Sequence, residues 1–143
     1  MARGDETLST TNQAHNISIS IERDLDEVYE FTGRPENFPR WATGLATALE
    51  PEGDHWVAQS PDGPIEVRFT PRNEYGVLDH HLTVPNGIEV YVPMRVVANG
   101  SGSEVTFTLF RTPGMSDEIL ARDIEWVTKD LERLKTLLES RAG

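Results

Sequence analysis

The stretch from Ser116 to Ser140, SDEILARDIEWVTKDLERLKTLLES, decides how the rest of the chain must fold. Leu120, Ile124, Val127, Leu131, Leu134 and Leu138 recur at helical spacing and form one apolar stripe, with Ile119, Trp126 and Leu137 at its edge. Ser116 is a good N-cap, and Asp117 and Glu118 suit the positive end of a helix dipole. About 25 residues at 1.5 Å each give a rod ~37 Å long, enough to cross a whole sheet. The stripe has to be buried against something. One answer is a coiled-coil dimer; the other is a sheet made by the same chain, which needs a partner for its own apolar face.

The residues upstream supply that sheet. From Gly44 to Arg111 the pairs Gly53-Asp54, Asp62-Gly63, Asn86-Gly87 and Asn99-Gly100, with Glu74-Tyr75-Gly76, punctuate β-rich stretches as tight turns do. Strands are expected near 45–50, 55–60, 64–70, 77–84, 88–98 and 104–111. Connections this short allow only antiparallel neighbours, because a parallel crossover needs a dozen or more residues.

Before the meander stands a shorter passage. Ile17, Ile19 and Ile21 alternate with Ser18, Ser20 and Glu22, a half-buried strand. Asp24 can cap a helix and Glu27 can reach back to it, while Leu25, Val28 and Phe31 follow at helical spacing until Gly33 and Pro35. Pro35–Trp41 reads as a second, very short helix, limited by Pro39.

This order of elements resembles the START-like (SRPBCC) superfamily in its polyketide cyclase/dehydrase-like branch. The residues that carry the resemblance are Asp26-Glu27-Val28-Tyr29-Glu30-Phe31, the run Pro35-Glu36-Asn37-Phe38-Pro39-Arg40-Trp41, Tyr75-Gly76-Val77-Leu78-Asp79-His80, and Phe107 through Arg111 to Pro113-Gly114-Met115-Ser116. It spans roughly residues 15 to 140. It implies an α+β helix-grip fold, with a curved antiparallel sheet of about seven strands around the C-terminal helix and a deep cavity between them. It implies no fixed catalytic set. Residues 1–14 are expected to be a loose arm and 15–143 one domain.

Composition narrows the partners. Thirteen basic against twenty-four acidic residues give a net charge of −11 over 143 residues. Without a basic run to neutralise phosphates, nucleic acid is not expected as a partner, and anionic membranes are disfavoured for the same reason. No apolar run approaches the ~18 residues that a membrane span needs. The absence of cysteine excludes disulfides, thiolate metal sites and a cysteine nucleophile. With a polar N-terminus, the expected address is the cytoplasm. The Asn-x-Ser triplets at Asn16 and Asn99 are then chance matches.

Strand alternation nominates the side chains that face the cavity. Ile65, Val67 and Phe69 share one face; so do Val90, Val92, Met94 and Val96, and Val105, Phe107 and Leu109. In the strand after Gly76 the same face carries Leu78, His80, Leu82 and Val84, which sets His80 among leucines. It is either a satisfied core imidazole or a group that contacts a ligand or moves a proton. No metal is expected, since no second ligand stands at a binding spacing. Asp123 falls inside the apolar arc of the helix, so it must be paired, protonated or next to water, or else lie beyond the sheet's edge.

Arg95 is a further candidate. Simple alternation puts it outside, whereas a bulge at Pro93 would turn it inward as a partner for Asp123. Trp41, Phe110 and Met115 are placed to frame the opening. The candidate ligand-binding set is therefore Trp41, Val67, Phe69, His80, Leu82, Met94, Arg95, Phe107, Leu109, Met115 and Asp123, with His80 and Asp123 as candidate acid–base groups and no cofactor.

No nucleophile elbow, zinc-protease, phosphate-loop or dinucleotide motif is present. The expected function is binding of a small hydrophobic or aromatic molecule. The alternatives are a metal-independent cyclase, dehydratase or isomerase using His80 or Asp123, and a protein-interaction module like the heat-shock ATPase activators that share this fold.

Overall fold

The computed structural model of the chain describes residues 10–42 and 48–141. β1 (Ala14–Ile21) leads into α1 (Leu25–Gly33), a 3-10 turn (Pro35–Asn37) and α2 (Phe38–Trp41). There follow β2 (Leu49–Glu52), β3 (His55–Ser60), β4 (Gly63–Phe69), β5 (His80–Thr83), β6 (Glu89–Val92), β7 (Met94–Asn99) and β8 (Gly102–Phe110). The chain ends in α3 (Asp117–Glu139). The first part of the strand expected near 45–50 lies outside the described residues. Both N-cap side chains bond as expected, but among the described residues Glu27 makes no return bond to Asp24. Asp24 accepts from the Glu27 N–H at 2.8 Å, and Ser116 accepts from the Ile119 N–H at 3.1 Å. The Glu27 carboxylate lies 3.7 Å from Arg141, at the far end of the chain.

All ladders are antiparallel, in the order β1-β8-β7 and β2-β3-β4-β5-β6. The expected α+β helix grip is present, with eight described strands in two sheets where one sheet of about seven was expected. The cause is Pro93, which has no N–H to give and splits the expected strand 88–98 into β6 and β7. Asp79 bridges the break: its Oδ1 accepts from the Met94 N–H at 2.8 Å. On either side, Thr108 N–H donates to Pro93 O at 2.9 Å, Leu78 N–H to Met94 O at 2.8 Å and Val96 N–H to Gly76 O at 3.0 Å. The two sheets are therefore stitched together at the fold line. Val92, Met94 and Val96 are all buried, so the alternation passes through Pro93 without reversing.

The core has two centres. In one, Leu131, Leu134 and Leu138 of α3 pack with Val28 and Phe31 of α1 and with Ile21, Val96 and Val105 of the smaller sheet. In the other, Ala58, Ile65, Val67, Leu82 and Val92 pack within the larger sheet. The stripe of α3 is thus covered by the chain's own sheet. Its C-terminal end is also tied down by hydrogen bonds. Arg23 donates to the Leu138 carbonyl from Nε at 3.0 Å and to the Glu139 carbonyl from Nη2 at 3.2 Å. Lys135 Nζ donates to Ser20 O at 2.7 Å. Arg23 thereby satisfies carbonyls that a helix end leaves open, and Lys135 ties α3 to β1. The N-terminal half is held less closely: Ile124 and Val127 are half-buried, and Ile119 and Trp126 are exposed. Among the described residues no helix is long and apolar enough to cross a membrane.

Candidate functional site

Where α3 lifts from the sheet, a cavity of about 570 Å³ opens. Its floor is the concave face of the strands, formed by Ile65, Leu82, Val90, Val92, Phe107 and Leu109. Asp123, Trp126, Val127 and Asp130 of α3 roof it, Ser60, Pro61 and Asp62 rim it from the β3–β4 turn, and Phe38, Trp41 and His80 close its inner end. The same three residues also line a second cavity of about 260 Å³ on the other side, under α1. They form the partition between the two spaces.

His80 is 3% exposed and caged by aromatic rings. Its ring centroid lies 5.6 Å from Phe38, 5.9 Å from Phe69 and 6.4 Å from Phe107. Nδ1 lies 3.2 Å from the Leu78 carbonyl oxygen. A carbonyl can only accept, so Nδ1 carries the proton and Nε2 is left as an acceptor. Burial disfavours the charged ring and pushes the pKa down to about 4, against the opposing pull of the Leu78 carbonyl and the Asp79 charge. The group at the inner end of the cavity is therefore a neutral imidazole at neutral pH.

Asp123 lies on the cavity roof with a side chain 24% exposed, and Arg122 holds it at 3.2 Å. The Arg122 guanidinium also sits 4.4 Å above the Trp126 ring, which is 42% exposed at the mouth. Asp123 is thus a paired carboxylate at a wet edge.

Trp41, His80, Leu82, Phe107, Leu109 and Asp123 come together around the larger cavity, while Phe69 and Met94 face the smaller one. Three expected residues stand elsewhere. Arg95 is exposed on the outer face and grips Asp79 with Nε at 3.1 Å and Nη2 at 3.0 Å, because Pro93 did not reverse the facing. Val67 is 0% exposed, sunk in the packed cluster below the cavity floor. Met115 serves through its backbone, its carbonyl accepting from Arg111 at 2.9 Å ahead of α3.

Some residues of the site were missed in the sequence. Trp126, counted as a stripe edge, is the exposed roof. Next to the site, but on neither cavity wall, stands His15, in phase with Ile17 on β1. It is half-buried, pairs across the ladder with Leu109, and its Nε2 is buried with no partner among the described residues. Thr32 and Tyr29, on the wall of the smaller cavity, gave no signal, because nothing local says which strand will cover α1.

The sequence matches no family model and no curated protein. Solved structures do match, and the decisive feature is a long C-terminal helix held against a curved antiparallel sheet. The fold is the helix grip. Ara h 8.0201 superposes with a TM-score of 0.67 at 13% identity, over 90% of this chain and 99% of that one. The Aha1 dimer protein from Colwellia psychrerythraea gives 0.67 at 16% identity, over 92% and 99%. DynU16, from the dynemicin biosynthetic locus, gives 0.65 at 17% identity over 89% of this chain, which spans 47% of DynU16, about half its length. At such identities the likeness establishes the helix grip and leaves chemistry to the residues.

Proposed function

We propose that this helix-grip chain binds a small hydrophobic or aromatic molecule in the larger cavity between sheet and α3. The observation that carries the reading is a hollow of about 570 Å³ whose floor is six apolar side chains and whose inner end is a neutral, buried imidazole. That size is within the range of small-molecule sites, and a fixed imidazole acceptor at the inner end of an apolar floor suits an aromatic ligand with a hydroxyl to place. Binding is favoured over acid–base turnover by the state of the two candidate groups. An imidazole with a pKa of about 4 is a weak base at neutral pH, and Asp123 is already engaged by Arg122.

Native mass spectrometry and a thermal-shift screen against aromatic and lipid-like compounds test the reading, with Leu109→Trp as the variant that fills the cavity. The expected outcome is a stabilising ligand for the natural chain that the folded variant no longer binds. Equal binding by both proteins, or no binding by either, overturns it.

A further inference from the structure

The smaller cavity contains two polar groups that the fold leaves unanswered. Thr32 is 6% exposed and Trp41 2%, both line this space, and neither Thr32 Oγ1 nor Trp41 Nε1 has a hydrogen-bond partner among the described residues. Buried polar groups in native interiors are nearly always paired. A threonine inside a helix commonly satisfies itself on the carbonyl four residues back, as Thr128 does on Ile124 at 2.7 Å. Thr32 does not. The indole N–H can only donate, and the threonine hydroxyl can donate as well, so the missing partner is an acceptor.

The rest of the wall says what carries that acceptor. Phe38, Phe69, Leu78 and Met94 supply apolar surface, and the neutral His80 supplies no charge. Arg72, at the mouth, is committed to Glu30. Arg34, the other guanidinium on this wall, is exposed, so a carboxylate carried in to the buried Thr32 and Trp41 would lose its water without a buried cation to meet it, which favours a neutral oxygen. At about 260 Å³ the space is just below the usual range for drug-sized ligands and fits a single ring with a short substituent.

We propose that this second cavity is a binding site for a neutral one-ring molecule bearing a carbonyl oxygen, held by the Thr32 hydroxyl and the Trp41 indole N–H. It shares its partition with the larger cavity and does not depend on that cavity's being filled.

The test is an NMR titration of the full ¹⁵N-labelled chain with acetophenone, and with ethylbenzene as the same shape without the oxygen. Acetophenone is expected to shift the Trp41 indole N–H signal and leave that of Trp126, on the larger cavity's roof, unmoved. Thr32→Val, which keeps the shape and removes an unpaired hydroxyl, should fold normally. It should weaken acetophenone by about five- to tenfold while leaving ethylbenzene unchanged, the effect of one lost hydrogen bond. Equal affinity of the natural chain for the two probes overturns the proposal, as does an unchanged acetophenone affinity in Thr32→Val. A shift of Trp126 alone also overturns it, by placing acetophenone in the larger cavity. That last result leaves the reading of the larger cavity standing, so the two fail separately.

Discussion

The Nδ1 atom of His80 lies 3.2 Å from the Leu78 carbonyl oxygen, and that contact sets the tautomer of the one imidazole shared by both cavities. The same burial that keeps the ring neutral makes the fold sensitive to acid. The folded chain takes up this proton only near pH 4, whereas the unfolded chain takes it up near 6.5. Between those values the unfolded state binds more protons, so stability falls as the pH drops through the window and is indifferent to His80 above it. By pH 5 the loss should be about 2 kcal/mol. Urea denaturation at pH 7 and pH 5 measures it, and the His80→Leu variant should lose this share of the decline. A variant with an undiminished slope would show that the imidazole is not the group responsible.

Asp79 and Arg95 form the second relationship worth testing, because only one of them is structurally exacting. The Asp79 carboxylate also accepts from Met94 N–H and from Tyr91 Oη at 3.1 Å. Desolvation raises its pKa, but the bonds from Arg95, Met94 and Tyr91 together outweigh that and hold it low. Asp79→Ala strands the Met94 N–H at the proline break and should cost about 2–3 kcal/mol, the range for hydrogen bonds to a charged group. Arg95→Ala removes an exposed partner and should cost at most about 1 kcal/mol, with ligand affinity unchanged. Chemical denaturation separates the two. Equal losses would contradict the role given to the Met94 bond.

Pro93 shows where the reading of the sequence stopped. The parity of Val90, Val92, Met94 and Val96 was legible, and it survived the proline. The division into two sheets was not, because it depends on Asp79, fourteen residues away, providing an acceptor at the break. The site shows the same division. His80 and the floor of the larger cavity follow from period-two alternation, and Asp123 from its angle on α3. The smaller cavity is a product of tertiary contact between α1 and the strand ends, so Thr32 looked like an ordinary helical position.

Gly76 marks a backbone constraint of the same region. Its φ is +70°, and a Cβ there would fall well inside contact distance of the Val96 carbonyl oxygen. That backbone cannot yield without losing the bond from Val96 N–H to Gly76 O at 3.0 Å. Gly76→Ala combines the left-handed penalty with this clash and should cost about 3 kcal/mol or more. Gly87→Ala has a similar φ of +87° but nothing within reach of its Cβ, and should cost only about 1–2 kcal/mol. Thermal denaturation of the pair isolates the contribution of the clash, which equal shifts would deny.

The exposed roof of the larger cavity gives the last prediction. Trp126 is a large aromatic left 42% exposed under the Arg122 guanidinium, an arrangement that contributes little to folding, on the order of 0.5–1 kcal/mol. Its position on the cavity roof gives it a use once a ligand is present, because a ring beneath it would bury apolar area that is now wet. Covering about 40–60 Å² at ~25 cal/mol per Å² corresponds to a five- to tenfold gain in affinity. Trp126→Ala should therefore weaken an aromatic ligand by about that factor while lowering stability by less than about 1 kcal/mol. Ile119 is 40% exposed on the same helix but is not on the cavity wall, and Ile119→Ala should leave affinity unchanged. Isothermal titration of the three proteins with the aromatic compound found by the screen measures the affinities, and urea denaturation the stabilities. Equal affinities across the set would mean that the ligand does not lie beneath α3.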